Sequence, residues 1–178
     1  MTKFVVPPRS WDDIAAVTVS LRQRFGLAEV PDFPIMELIE LVLDHKLHWL
    51  HFLVGSRGEM REAEGLTDPT GKFIMLREDV NAAAWAGNGR GRFTAAHELG
   101  HWVMHTNVPM ARVQLSAQHG PYELAEPQAN QFAAELLMPR DFIDGADTAA
   151  SIARRHGVST DAASKRLIYL RKKGLKPS

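Results

Sequence analysis

The chain has 178 residues, 45 % of them hydrophobic, with no cysteine and a formal net charge of zero. That length suits one domain, or one domain with a small appendage, around a real hydrophobic core. The absence of cysteine excludes disulfides and thiolate metal sites, leaving histidine and carboxylate as the available ligands.

In chain order, residues 1–8 contain no long apolar run and no small-residue cleavage site, so nothing there directs export and a cytoplasmic protein is expected. Ser10, followed by Asp12 and Asp13, predicts the start of a helix that runs to about Phe25 and stops at Gly26. Pro34 opens a second helix with Ile35, Leu38, Ile39, Val42 and Leu43 on its buried face. Residues 47–54 read as a strand. The most apolar stretch, 38–54, is broken by Glu40, Asp44, His45 and Lys46 and cannot span a membrane. His45, His48 and His51 straddle that helix-to-strand boundary and do not converge on one metal. Residues 64–67 and 72–77 read as a strand pair about a turn in which Pro69 and Gly71 supply the geometry. The strand 73–76 has few charges, and an extended peptide could add to it as a further strand; a purely structural hairpin is the alternative.

Residues 97–101 spell His-Glu-Leu-Gly-His, flanked by uncharged Thr94, Ala95, Ala96, Trp102 and Val103. On a helix, His97 and His101 lie one turn apart on one face and can grip one metal ion, with Glu98 placed to take a proton from a metal-activated water. The pattern points to metal-assisted hydrolysis.

A catalytic metal of this kind takes three protein ligands. His105 lies two turns from His97 and about 80° around the helix, too far to complete the set; it reads as a C-terminal histidine favoured by the helix dipole, or as a packing residue. The extended pattern with a third histidine fails, because Met104 and Asn107 occupy its glycine and histidine positions. Downstream, Glu126 and Asn130 are spaced i, i+4. The carboxylate can bind the metal while the amide one turn on holds a ligand histidine by its other ring nitrogen. Phe132, Ala133, Leu136 and Leu137 form the buried face of this helix and Pro139 stops it. Glu123 is a rival ligand, Glu135 points about half a turn away, and Pro127 fits only the opening turn.

At these residues the chain resembles the ImmA/IrrE family of metallo-endopeptidases. The resemblance runs through Gly91-Arg-Phe-Thr-Ala-Ala-His-Glu-Leu-Gly-His101 with His105 beyond it, resumes at Glu126-x-x-Ala-Asn-x-Phe-Ala-Ala-Glu-Leu-Leu-Met-Pro139, and covers about residues 60–140. It implies a single catalytic zinc on His97, His101 and Glu126, with Glu98 as base. It also implies a protein substrate, typically a helix-turn-helix repressor, cleaved to relieve repression. By that resemblance the chain is expected to be a short form, without the N-terminal DNA-binding domain of larger architectures.

His119 and Tyr122, in the loop between the motifs, are the candidates for stabilising the transition state. Arg90 and Arg92 either anchor substrate or are surface arginines before the helix.

Charge is split along the chain. Up to residue 150 there are 13 basic and 20 acidic residues, and from 151 onward 8 and 1. Residues 151–178 read as a helix, a turn at Gly157 and a second helix capped by Ser159, the pattern of a helix-turn-helix. Ile152, Val158, Leu167, Ile168 and Leu170 could pin this hairpin to the body; contact with DNA phosphates or a protein is the other use of such a tail.

The expectation is an α+β, mainly helical zincin-like metalloprotease domain at residues 1–150, with a small antiparallel sheet flanking the metal helix. The hairpin at 151–178 packs on the same domain. The readings from other classes are an antirepressor that binds its partner without cutting it, and a zinc-sensing DNA-binding regulator.

Overall fold

A computed structural model describes residues 3–113 and 119–174. Helix α1, Trp11–Arg24, starts where the sequence marks it: the Ser10 hydroxyl accepts from the Asp13 amide at 3.0 Å, and the Asp13 carboxylate accepts from the Ser10 amide at 3.1 Å. The second helix, Glu37–Lys46, is a π-helix rather than an α-helix. Leu38 and Leu43, five positions apart, are both buried, and i→i+5 bonding stacks that spacing on one face.

Strand β1 is Lys3–Val5, β2 His51–Gly55, β3 Gly65–Thr67, β4 Phe73–Arg77 and β5 Ala111–Val113. The expected hairpin is present as antiparallel β3 and β4. In addition β2 joins β4 in parallel, giving the order β2-β4-β3, while β1 and β5 form a separate antiparallel pair. Of the two readings of 73–76, the structural one fits. Strand β4 is central, so its peptide groups are committed on both sides; β2 and β3 are the edges, and β3 is the one that lies against α4.

The register shows which β3 groups are available. The Asp68 amide donates to Phe73 O and the Arg77 amide donates to Glu64 O, each at 3.0 Å. Bonding alternates along an antiparallel pair, so Glu64, Leu66 and Asp68 face β4 while the peptide groups of Gly65 and Thr67 point outward.

The remaining α-helices are α2 (Arg57–Met60), α3 (Glu78–Trp85), α4 (Gly89–His105), α5 (Ala125–Leu137), α6 (Ala149–His156) and α7 (Thr160–Lys172). Helices α4 and α5 pack on each other at the centre, with α1 against α5 and α3 against α4. Gly100 permits that approach: a Cβ there would lie 2.9 Å from the Phe132 ring. The core between them holds Leu99, Phe132, Ala133 and Leu136, all fully buried.

The C-terminal hairpin shares this core. Ile152, Val158, Ala163, Leu167 and Leu170 are buried in it, whereas Ile168, expected to help, is 51 % exposed. Two of the hairpin's arginines turn inward. Arg155 is bonded to both oxygens of Asp147, and Arg166 forms a two-pronged contact with Glu135 at 2.7 and 2.6 Å. Arg166 also donates through Nε to Met138 O at 2.9 Å and is 1 % exposed at its side chain.

Removing one partner of such a pair leaves a buried charge uncompensated. Arg166→Met is therefore expected to lower unfolding free energy by about 3–5 kcal/mol, read by urea denaturation. The double change with Glu135→Leu should recover most of it. A single variant as stable as the parent would mean that the pair does not bind α7 to α5.

Candidate metal centre

The site is built on two helices and one strand edge. Asn88 caps α4 by accepting from the amides of Arg90 and Gly91, and two turns on this helix presents His97 and His101 on one face. Helix α5 begins at Ala125, so Glu126 and Pro127 occupy its first turn, where the missing proline N–H costs nothing. The Glu126 carboxylate stands at the rim, 66 % exposed, over imidazoles that are only 16 % and 15 % exposed.

The three side chains converge. His97 Nε2 and His101 Nε2 are 3.0 Å apart, and Glu126 oxygens lie 3.2 Å from the first and 3.4 Å from the second. A tetrahedral site with bonds of about 2.0–2.1 Å has ligand atoms roughly 3.3 Å apart, so these separations fit one ion. Among the described residues this is the one cluster of histidine or carboxylate groups with metal-binding geometry.

Hydrogen bonding fixes which atoms face that point. His97 Nδ1 lies 3.1 Å from Asn130 Oδ1, so Nδ1–H donates and Nε2 presents a bare lone pair. For His101 the chain is longer. The Gln128 amide nitrogen donates to Pro7 O and Tyr122 O at 3.0 and 2.7 Å, which turns its oxygen toward His105 Nε2 at 3.0 Å. His105 Nε2 must therefore donate. Its Nδ1, 3.0 Å from His101 Nδ1, is then an acceptor, His101 donates from Nδ1, and its Nε2 is bare as well. Two unprotonated nitrogens and a carboxylate facing one point repel one another unless a cation lies between them. When no ion is bound, protons on His101 and His97 take its place: they donate to Glu126 and hold its carboxyl well below the usual carboxylate range, so it stays anionic. The residues present fit a divalent ion.

This relay corrects the helix-dipole reading of His105, which requires a positive charge. His105 is 2 % exposed, and burial pushes its pKa down to about 4. His105→Phe should weaken metal binding about 10–100-fold by releasing the His101 tautomer, measured by competition with a chelating dye. Unchanged affinity would remove the relay from the site's design.

The same burial carries a pH signature. Folded His105 stays neutral while the unfolded chain takes up a proton below pH 6.5, so this stability is full above 6.5 and lost as pH falls toward 4. At about 1.4 kcal/mol per unit, the metal-free chain should lose about 3 kcal/mol across that window in denaturation curves, and His105→Phe should lose less. His156, fully buried with Nδ1 bonded to Pro31 O, shifts in the same direction through burial.

Glu98 points to the other side of His97. It is 7 % exposed, and its Oε2 accepts from the Thr67 hydroxyl on β3 at 2.8 Å. Burial pushes its carboxyl up despite that bond, the direction that makes a carboxylate a stronger proton acceptor. Gly65 is needed beside it, because a Cβ there would lie 2.5 Å from the Glu98 side chain. A cleft of about 390 Å³ joins the Gly65–Thr67 edge to His97, Glu98, His101 and Glu126.

Other candidates are placed elsewhere. His119 sits 3.5 Å from Glu123, and Tyr122 is 49 % exposed; neither lines this cleft, so the assignment of either to transition-state stabilisation is not carried by the geometry. Glu123, the rival carboxylate, is occupied in bonding the Gly120 amide at 2.9 Å. Arg90 pairs with Glu64, while Arg92 ties Asp32 and Phe33 O to α4 away from the ligands. Thr67, Gly65 and Gln128 had no signature in the sequence. His105 did, since it repeats the i, i+4 spacing of the ligand pair.

Residues 58–168, more than half of the chain, match a peptidase family described as the IrrE N-terminal-like domain. No curated protein gives a match to the chain. The matched span includes β3, both site helices and most of α7. No helix among the described residues is long and apolar enough to cross a membrane.

Proposed function

The chain belongs to the ImmA/IrrE family of metallopeptidases, and from that premise we propose that it is a zinc-dependent endopeptidase that cleaves a DNA-binding repressor. The observation that carries the peptidase reading is the pairing of a three-ligand cluster with a buried carboxylate in a cleft bordered by a free strand edge. A donor set of two imidazoles and one carboxylate without thiolate is that of catalytic zinc sites. When bound, zinc polarises a carbonyl and acidifies a water.

The chain's own residues supply the rest. Outward peptide groups of Gly65 and Thr67 hold an extended substrate as an added strand beside the ligands. Glu98 takes a proton from the attacking water through its carboxylate and returns it to the leaving amine, while Thr67 keeps it aimed. Asn130 and the Gln128–His105 pair hold the two imidazoles in the tautomers a metal requires.

The repressor as substrate rests on the family resemblance, and a cytoplasmic location follows from such a partner. Incubating the zinc-loaded chain with candidate helix-turn-helix repressors, first any found encoded beside it, should yield two fragments of one of them by mass spectrometry, with none after chelation. An intact repressor that nonetheless leaves its operator would favour the non-cleaving antirepressor.

A further inference from the structure

The cleft does not end at the ligands. On the Gly65 side it continues into a space of about 240 Å³ beside Glu64, Phe93, Thr94 and Asn130. Phe93, Thr94 and Asn130 also wall a basin of about 890 Å³ between α4, α5 and α7. Pro127 and Ala134 line it from α5, and Ala162 and Tyr169 from α7. The charged side chains around it are each paired: Arg90 with Glu64, Lys165 with Asp161, Arg166 with Glu135. Gln131 and Ser159 also line it, but most of its exposed wall is apolar, from Phe93, Pro127, Ala134, Ala162 and Tyr169.

The strand edge sets which part of a substrate reaches it. Glu64 contacts Arg90 and Thr94 near the start of α4, and Pro69 O accepts from the Asn107 amide just past its end, so β3 runs in the same direction as α4. A chain added antiparallel to β3, the more stable pairing, enters over Thr67 and leaves over Gly65. Residues on the carboxyl side of the scissile bond therefore travel toward the basin.

Resting on the peptidase reading, we propose that this basin receives the side chain immediately after the scissile bond, that it selects a large apolar or aromatic residue there, and that α7 is its outer wall. The C-terminal hairpin then serves substrate selection.

The test uses binding in place of turnover. Two succinyl hydroxamates, one carrying a benzyl group on the carbon next to the hydroxamate-bearing arm and one unsubstituted, are titrated into the zinc-loaded chain by calorimetry. The benzyl compound should bind about 10- to 100-fold more tightly, the gain expected from burying one aromatic side chain. Ala162→Trp, which fills the basin from α7, should erase that preference. Equal affinity of the two compounds for the parent chain would overturn the basin while leaving the metal site intact. Failure of both to bind would overturn the peptidase reading and the basin with it.

Discussion

Glu98→Gln is expected to retain one metal ion per chain and to lose peptide hydrolysis by about 10²–10⁴-fold, the share a general base contributes. The substitution conserves volume in a position that is 7 % exposed, and the Thr67 hydroxyl can still donate to the amide oxygen at the distance it now spans, 2.8 Å. The fold and the three ligands are left in place; what disappears is the proton-accepting charge. Metal content by atomic emission and substrate fragments by mass spectrometry report the two halves separately. A variant that still cuts at the parental rate would show that Glu98 is not the base. Repressor release that survives without any cutting would point to binding alone as the activity.

Glu126→Ala is expected to weaken metal binding by more than about 100-fold, since even residues that merely orient a ligand are worth about 10–100-fold. Its side chain is 66 % exposed, so its removal should leave stability within about 0.5 kcal/mol. That separates loss of a ligand from loss of the fold. Glu123→Ala is the matched control: its carboxylate bonds the Gly120 amide and His119 rather than the ligand histidines, so affinity should hold. Reversal of the two results would move the third ligand to Glu123.

Both variants address residues whose spacing was readable in the chain. His97 and His101, or Glu126 and Asn130, are one helical turn apart, and a helix converts that spacing into a shared face without help from the rest of the molecule. The caps were readable for the same reason, as Ser10 with Asp13 shows. Residues 38–43 were less so, because α and π turns differ in which neighbours they stack, and burial against the core selects between them.

The strand edge was not legible for a different reason. The hairpin at 64–77 has a local turn signal, but β2 arrives from outside the hairpin, pairs in parallel with β4 and makes it the central strand. The tail misleads through its charge. Arg155 and Arg166 count toward a basic hairpin in the sequence, yet each is consumed by a carboxylate, Asp147 eight residues before Arg155 and Glu135 on α5.

Alone, the sequence determined the candidate ligand set: the absence of thiolates, the histidine pair with its adjacent carboxylate, and a second helix carrying a carboxylate and an amide at ligand spacing. These depend on contacts within single helices. Only the tertiary structure decided which strand edge lies against the metal helix, that His105 is a neutral link to Gln128, that Thr67 aims Glu98, and that α7 walls the neighbouring basin. Each of those depends on groups far apart in the chain whose donors, acceptors and apolar faces find partners only when the core between α4, α5 and α7 closes.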